Sequence, residues 1–492
     1  MIFLLFIFTI DARYHTLDEI ITELGSINDR CPNITHIETI GYSTNDSLPV
    51  IAFKISDNAS VEEDEPAILY IGGHHAEEIL GIEICMYMIN DLVNQYGVDP
   101  VKTSWIDNFE IWFVPLMNPE GHSIVMNSID TTWRKNKRDN NKNGTFELGS
   151  DGVDLNRNYN FYWSNGGTSD SSSEYYRGPY AFSENETRAM RDLCYKQNFT
   201  FAITYHSART GLKEIIYYPW HGNGSYSPDI MVIRNIANII AHLIINDAGN
   251  GHYNAMVGYE LDGKARNWLY GVCGVFTYCI EVSTTTIQPG WMVDDICARN
   301  MVGAYFLPER MGYSILTGHI INAETGEPLS AEISIENYHD PKLPARTSDP
   351  LYGRYQRILL PGTYRVEIRK PGYVSYMNPS IEIKDDDITI LDVSLTAMEN
   401  EIERQWGQSL IPLISPGVVN EMSIYINDPA SFSVIKVVDI NGRTIKVFSN
   451  PNSSQLYWNL RDQYERRIPN GVYYIVGEKG QTCETAKFVI YR

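Results

Sequence analysis

Five consecutive apolar residues, Ala67-Ile68-Leu69-Tyr70-Ile71, run into Gly72-Gly73-His74-His75-Ala76-Glu77-Glu78. From Ile79 to Tyr96 the apolar positions then recur at helical spacing until Gly97. Such a run reads as a buried strand, so the chain passes from strand to helix through a short glycine-bearing junction. Open α/β sheets place their sites at junctions of this kind, at the carboxyl ends of strands. A neutral imidazole and a carboxylate three positions apart can both reach one small cation if a third ligand arrives from elsewhere. The junction therefore reads as half of a zinc site. Spacing alone is weak evidence, because with 11 histidines in the chain roughly one His-x-x-Glu arises by chance. The register is open too, since His74 with Glu77 has the spacing of His75 with Glu78.

Other stretches supply the context. Tyr14 to Cys31 carries Leu17, Ile20, Ile21 and Leu24 at helical spacing, and Ile37 to Lys54 alternates like a strand pair around Thr44-Asn45-Asp46. Glu62, Glu63, Asp64 and Glu65 predict an exposed loop, Phe109 to Pro115 a second strand, and Asn118-Pro119-Glu120-Gly121 a turn. Trp133 to Trp163 is polar and Asn-rich, a loop of the length that is usually functional. Phe199 to Tyr205 is a strand that delivers His206 and Ser207, and Gly274 to Ile280 another that delivers Glu281. A strand-end His or Glu is ordinarily a packed or solvated residue. Three such ends carrying ligand or acid–base residues together are what a site at one sheet edge requires.

A chain of 492 residues with 43% hydrophobic and 20% charged content has room for about two to four globular domains. Its net charge of -22 argues against nucleic acid, whose phosphates need clustered Lys and Arg. Met1 to Ile10 is almost wholly apolar, too short to span a bilayer but suited to a secretory signal with a truncated start, so export is expected and no integral membrane segment. The cysteines at 31, 85, 194, 273, 279, 297 and 483 are odd in number and scattered, which favours buried free thiols over a disulfide framework.

Taken in order from Tyr14 to Arg310, the chain resembles the metallocarboxypeptidase family, the pancreatic carboxypeptidase A type and its bacterial relatives. The family motif has Ala after the His, then any residue and Glu, and His75-Ala76-Glu77-Glu78 matches it, so the resemblance selects His75 and Glu78 as zinc ligands. Tyr205-His206-Ser207 matches the context of the third ligand, His206. Trp133-Arg134-Lys135 matches the segment whose arginine polarises the scissile carbonyl, and Asp154-Leu155-Asn156-Arg157-Asn158-Tyr159 the Asn-Arg pair that clamps the substrate's terminal carboxylate. Tyr259, Asn267-Trp268-Leu269-Tyr270 and Glu281 follow the family's mobile tyrosine, its Asp-Trp-x-Tyr segment and its catalytic glutamate, with Asn267 where the family has Asp. Tyr175 to Glu184, with Arg177-Gly178-Pro179, also resembles bacterial members.

The chemistry asks for these residue types. Two His and one Glu leave zinc an open position for water, an arrangement that general accounts of such sites exemplify with a carboxypeptidase. A nearby carboxylate, Glu281, must then take the water's proton, and Arg134 suits the charge that develops on the carbonyl. Arg157, with Asn156 and Tyr259, suits a free α-carboxylate. In the family the residue before the Asp of Asp-Trp-x-Tyr lines the pocket for the C-terminal side chain. Here it is Arg266, which implies a preference for Asp or Glu. A second metal, calcium, is suggested by Asp139-Asn140-Asn141-Lys142-Asn143-Gly144, which places oxygens at alternate positions before a Gly, although no Glu stands at the twelfth.

After Pro308 the chain changes to short alternating strands. Residues 315–397, with Leu360-Pro361-Gly362-Thr363-Tyr364, resemble the transthyretin-like β-sandwich often appended to these enzymes, read as a folding or spacer module. A polar linker is expected over 398–410, and 411–492, with Val438-Asp439-Ile440-Asn441-Gly442-Arg443 and Pro469-Asn470-Gly471, resembles bacterial secretion-sorting β-sandwiches. The expected fold class is therefore α/β: a mixed-sheet zinc carboxypeptidase domain over 14–310, after a signal segment at 1–13 and with no inhibitory pro-domain before it, then two small all-β sandwiches. The expected function is a secreted or surface-held bacterial zinc carboxypeptidase acting on peptide or protein C-termini, with the secretion machinery as a further partner. Cell-wall peptides as substrate, or an inactive surface-displayed binding protein, are the alternatives.

Overall fold

The computed structural model describes residues 10–398 apart from Asn223, Glu260, His339 and Pro341. Beyond them it describes 418–419, 424–427, 432–440, 442–449, 455–464, 466–479 and 482–490. The apolar start and the linker expected from 398 to 410 lie outside the described residues, apart from Ile10 and Met398.

The main sheet has eight strands: β1 (Thr35–Tyr42), β2 (Pro49–Ile55), β3 (Ala67–Ile71), β4 (Glu110–Val114), β5 (Phe199–His206), β6 (Ile215–Tyr218), β7 (Asn254–Val257) and β8 (Phe276–Glu281). Their order is β1-β2-β4-β3-β5-β8-β6-β7. The central four, β4-β3-β5-β8, are parallel, while β1 with β2, β2 with β4 and β8 with β6 are antiparallel, so the sheet is mixed. Every residue of β3 and β4 is buried, which explains why β3 and residues 111–114 read as unbroken apolar runs rather than alternating ones, while the buried Glu110 that opens β4 is paired with Lys54 Nζ at 2.5 Å. Helix Leu80–Gln95 packs on β5 and on helix Gly290–Ala304, which in turn meets helix Ile230–Leu243. Leu80, Ile82, Met86, Ile89 and Leu92 lie on its buried side, each worth about 1.5–3 kcal/mol relative to exposure.

Two local expectations are corrected. Asn118-Pro119-Glu120-Gly121 opens the helix Pro119–Met126 and is not a free turn: the Asn118 side chain accepts the Gly121 N–H at 3.0 Å, and Pro119 occupies the first helical position, where a missing N–H costs nothing. The acidic run Glu62–Glu65 is not simply solvated. Asp64 pairs with Arg354 Nε at 2.6 Å and His319 Nε2 at 2.8 Å, and the Glu62 carbonyl accepts the Tyr352 hydroxyl at 2.8 Å, so the run is held against the following β region.

That region is built from two sheets. Arg354–Ile358, Ile315–Asn322 and Ile388–Ile390 form one, with Val393–Leu395 alongside, and Glu332–Ile335, Gly362–Arg369 and Tyr376–Ile383 form the other. Leu316, Ile320, Ile333, Val366, Ile368 and Val393 belong to a core of their own, separate from that of the main sheet. Residues 399–492 form a distinct unit, in which Val418–Val419, Thr482–Ile490, Gly471–Lys479, Val434–Asp439 and Thr444–Ser449 make a five-stranded sheet around Ile435, Val437, Trp458 and Ile475. Among the described residues no helix is long and apolar enough to cross a membrane.

Candidate active site

The site forms where three central strands end. Leaving β3, Gly73 takes φ +62°, and a Cβ on Gly72 would lie 2.5 Å from the Pro115 carbonyl oxygen, so the paired glycines are required for this turn. The turn sets His75 and Glu78 above the sheet edge. β5 and β8 run parallel with His206 directly beside Glu281, which brings the remaining two groups to the same edge.

His75 Nδ1 lies 2.9 Å from Glu78 Oε2, His206 Nδ1 2.7 Å from that oxygen, and the two Nδ1 atoms are 3.1 Å apart. The other face of His75 fixes its tautomer: Nε2 is 3.2 Å from Asp154 Oδ1, and an N–H donated there leaves a lone pair on Nδ1. Three potential ligand atoms this close together around one buried point can share a single small cation. Two imidazoles and a carboxylate are a donor set that suits zinc. The residues present therefore fit the metal that the sequence suggests.

Asp154 organises the surroundings. It is fully buried, and its Oδ2 accepts Arg134 Nε at 3.0 Å and faces Arg157 Nη1 at 3.8 Å. Burial opposes its charge, but Arg134, Arg157 and His75 outweigh burial and hold the carboxyl well below the usual range. Arg134 also lies 3.5 Å from Glu78 Oε1, so its guanidinium flanks the ligand cluster. Tyr175 stacks under both arginines, 5.4 Å from Arg134 and 5.8 Å from Arg157. Glu281 is pushed up to about 7, first by burial and then by the charge of Glu78, against the pull of His206, Arg134 and Arg266. Its Oε2 is shielded from solvent and accepts no hydrogen bond.

A cavity of about 480 Å³ joins these groups to the residues expected to read the substrate. Asn156 accepts the Ala265 N–H at 2.9 Å, its amide lies 3.2 Å from His206 Nε2, and Arg157 Nη1 rests on the Asn156 carbonyl at 2.8 Å. Arg266 is 6% exposed and lines this cavity, its guanidinium over Tyr217 at 5.8 Å and against Gly258, where a Cβ would displace the tip of the arginine. Tyr259 stands at the rim, 65% exposed and edge-on to His221. All nine residues singled out from the sequence thus line one cavity.

Sequence reasoning assigned no part to Asp154, although it stood two positions before Asn156 in the matched segment, nor to Tyr175. It also left His74 without a role. The structure buries His74, hydrogen-bonds its Nε2 to the Tyr159 hydroxyl at 2.9 Å and stacks it on His206 at 5.5 Å, so it supports a ligand from behind. The calcium expectation finds no support. Asp139 Oδ1 and Oδ2 accept the N–H groups of Lys142 at 2.6 Å and Gly144 at 2.8 Å, and Asn143 Oδ1 accepts that of Thr145 at 2.8 Å. These oxygens close the loop's own turns. Among the described residues Cys85, Cys194, Cys279 and Cys297 are buried free thiols, while the free thiols Cys31 and Cys273 are partly exposed where burial was expected.

A family model described as zinc carboxypeptidase matches residues 20–309. A carboxypeptidase B of Helicoverpa zea is 26% identical over 318 residues, covering 61% of this chain and 71% of that protein. A zinc carboxypeptidase of Saccharothrix mutabilis subsp. capreolus is 26% identical over 297 residues, with 57% and 64% covered, and a carboxypeptidase B of Astacus astacus 29% over 282 residues, with 56% and 88% covered. Among solved structures, carboxypeptidase A from Helicoverpa armigera superposes with a TM-score of 0.53 at 21% identity, over 60% of this chain and 73% of that one, a likeness of fold.

Proposed function

The chain belongs to the zinc carboxypeptidase family, and from that membership and the charge of the cavity we propose that it releases the C-terminal residue of peptides and proteins, preferring Glu or Asp there. The observation that carries this reading is the meeting of His75, Glu78 and His206 with Glu281 in one cavity that also holds Arg157 and Arg266. Zinc, when held by the three ligands, supplies a Lewis acid for the scissile carbonyl and acidifies water.

The remaining steps belong to side chains. Arg157, with Asn156, grips the free α-carboxylate, and Tyr259 closes over it from the rim. Glu281, at the end of β8 beside the ligand cluster, takes the proton of the attacking water and hands it to the leaving amine. Arg134, held in place by Asp154, donates to the oxygen on which negative charge develops. Arg266 pairs with an acidic C-terminal side chain, and leaving its buried charge unpaired penalises an apolar one.

Release rates for peptides ending in Glu, Phe and Lys test the specificity, and a preference for Phe would refute it. Glu281→Gln tests the chemistry: zinc content should hold while turnover is lost. We further propose export, supported by the apolar run Met1 to Ile10 and the resemblance of 411–492 to secretion-sorting modules. Cell fractionation that finds the protein inside would overturn it.

A further inference from the structure

Behind the cavity wall that carries Arg266 lies a junction with the β-sandwich of residues 315–395. Ala265–Trp268 form an α-helical turn, and Leu269–Cys273 continue it as a π-helical turn. That geometry is rare, tends to occur at functional sites, and displaces the backbone carbonyls from their usual partners. The front of the segment faces the substrate: Arg266 lines the cavity, and the Ala265 N–H is bound by Asn156.

The rear is held from the sandwich. Arg346 Nη2 donates to the Tyr270 carbonyl at 2.9 Å, which also takes the Gly274 N–H at 3.1 Å, and its guanidinium lies over the Tyr270 ring at 5.1 Å. The Tyr270 hydroxyl donates to Asp229 Oδ2 at 2.6 Å, and Asp229 Oδ1 accepts Arg357 Nη2 at 3.3 Å. Tyr270 is 0% exposed, Asp229 2% and Arg357 5%, while Arg346 is half-buried beside a cavity of about 180 Å³ that Asp229 and Arg357 also line. Gly274 closes the turn at φ +82°, and a Cβ there would come within 3.0 Å of Arg346. A spacer module would need none of this.

We propose that the β-sandwich is part of the frame of the substrate pocket, with Arg346 as a positioning residue that fixes, through Tyr270, the turn presenting Arg266 to the C-terminal side chain of the substrate. The proposal deepens the specificity reading above and rests on it. Only three residues separate Arg266 from Tyr270, all within the same helical turns, so a shift at the rear moves the front. The metal ligands are carried by other elements, the turn after β3 and the end of β5, and should not follow.

The test uses the full chain with Arg346→Ala, Arg346→Lys and Tyr270→Phe, reading zinc content, melting temperature, and kcat and KM separately on peptides differing only in their last residue. Arg346→Ala is expected to raise KM for the preferred C-terminal residue about tenfold, with kcat within about twofold, since uniform binding and not the chemical step is lost. Zinc content should hold and the preference should narrow. Arg346→Lys should recover part of it, because an ammonium still donates to the Tyr270 carbonyl. A folded Arg346→Ala variant with unchanged KM and preference overturns the proposal, as does an equal loss on every substrate. Should Arg346→Ala fail to fold, Arg346→Lys and Tyr270→Phe decide by the same criterion, with a smaller KM shift expected. Arg266→Ala is run alongside. A preference that does not depend on Arg266 refutes the acidic reading, whereas an Arg266-dependent preference that survives Arg346→Ala refutes this one.

Discussion

Replacing Asp154 with Asn keeps the shape of the side chain and removes the one property the site uses, two acceptor oxygens with a full charge. Oδ1 now serves the His75 Nε2–H and Oδ2 the Arg134 Nε–H, both from a fully buried position. An amide has one acceptor and one donor end, so one of these two partners must face an NH₂ group. The arginine, always charged and 3.0 Å away, competes better for the remaining oxygen than the two neutral donors that share Oδ1, the imidazole at 3.2 Å and the Asn156 N–H at 2.9 Å. The His75 ring then meets a donor at Nε2, which favours the tautomer with its hydrogen on Nδ1, where the metal needs a lone pair. Outer partners of metal-bound histidines are worth about 10–100-fold in affinity, or about 1.4–2.7 kcal/mol, and Asp154→Asn should weaken zinc binding by that factor. The zinc-free protein should lose about 3 kcal/mol of stability, because Arg134 and Arg157 stay behind with their buried counter-charge gone. The Asp154 carboxyl is depressed below its ordinary 3.8, so its contribution is complete above that pH and is lost only as pH falls through the lower folded value; measurements at neutral pH capture all of it. Competition with a chromophoric chelator gives the affinity and thermal melting the stability. Zinc affinity within about twofold of the parent would falsify the tautomer argument.

Glu281→Gln should also reveal the cost of burying that carboxylate: its folded-state value of about 7 exceeds the ordinary 4.5, so its stabilising contribution is present below that lower pH and lost as pH rises through about 7. Zinc-stripped Glu281→Gln should therefore melt with the parent near pH 4.5 and gain about 1–3 kcal/mol at pH 8, and equal melting at both pH values would refute the burial. Arg266→Ala should lower kcat/KM for Glu-ended peptides about 100-fold, the worth of one charge-assisted pair, with little change for Phe-ended ones; a uniform loss would contradict it. His75→Ala should abolish stoichiometric zinc, whereas His74→Ala, which removes only the ring behind His206, should retain it with an affinity loss of less than about tenfold, measured by metal analysis after dialysis.

How much of this was legible follows from where each signal sits. The strand ends bearing His206 and Glu281 could be read because parallel strands buried on both faces leave long apolar runs, and the first polar residue after such a run is conspicuous. The helix at Leu80 was readable for the same reason, with the glycine pair marking the turn before it. Asp154 was not, since it lies in an aperiodic loop where nothing in spacing tells an outer partner from a turn residue; its role exists only because the loop folds back under His75 and Arg134. The acidic run at 62–65 was misread because composition reports charge and not neighbours, and its partners His319 and Arg354 come from more than 250 positions later. Arg346 and Arg357 are the extreme case. Neither stands in a motif, and what they hold, a π-helical turn and a buried aspartate, is itself unpredictable from local pattern. Local periodicity locates the groups that do chemistry at strand ends, while the groups around them arrive through tertiary contacts, and in this chain some of those contacts come from a β region that the sequence alone presents as an appendage.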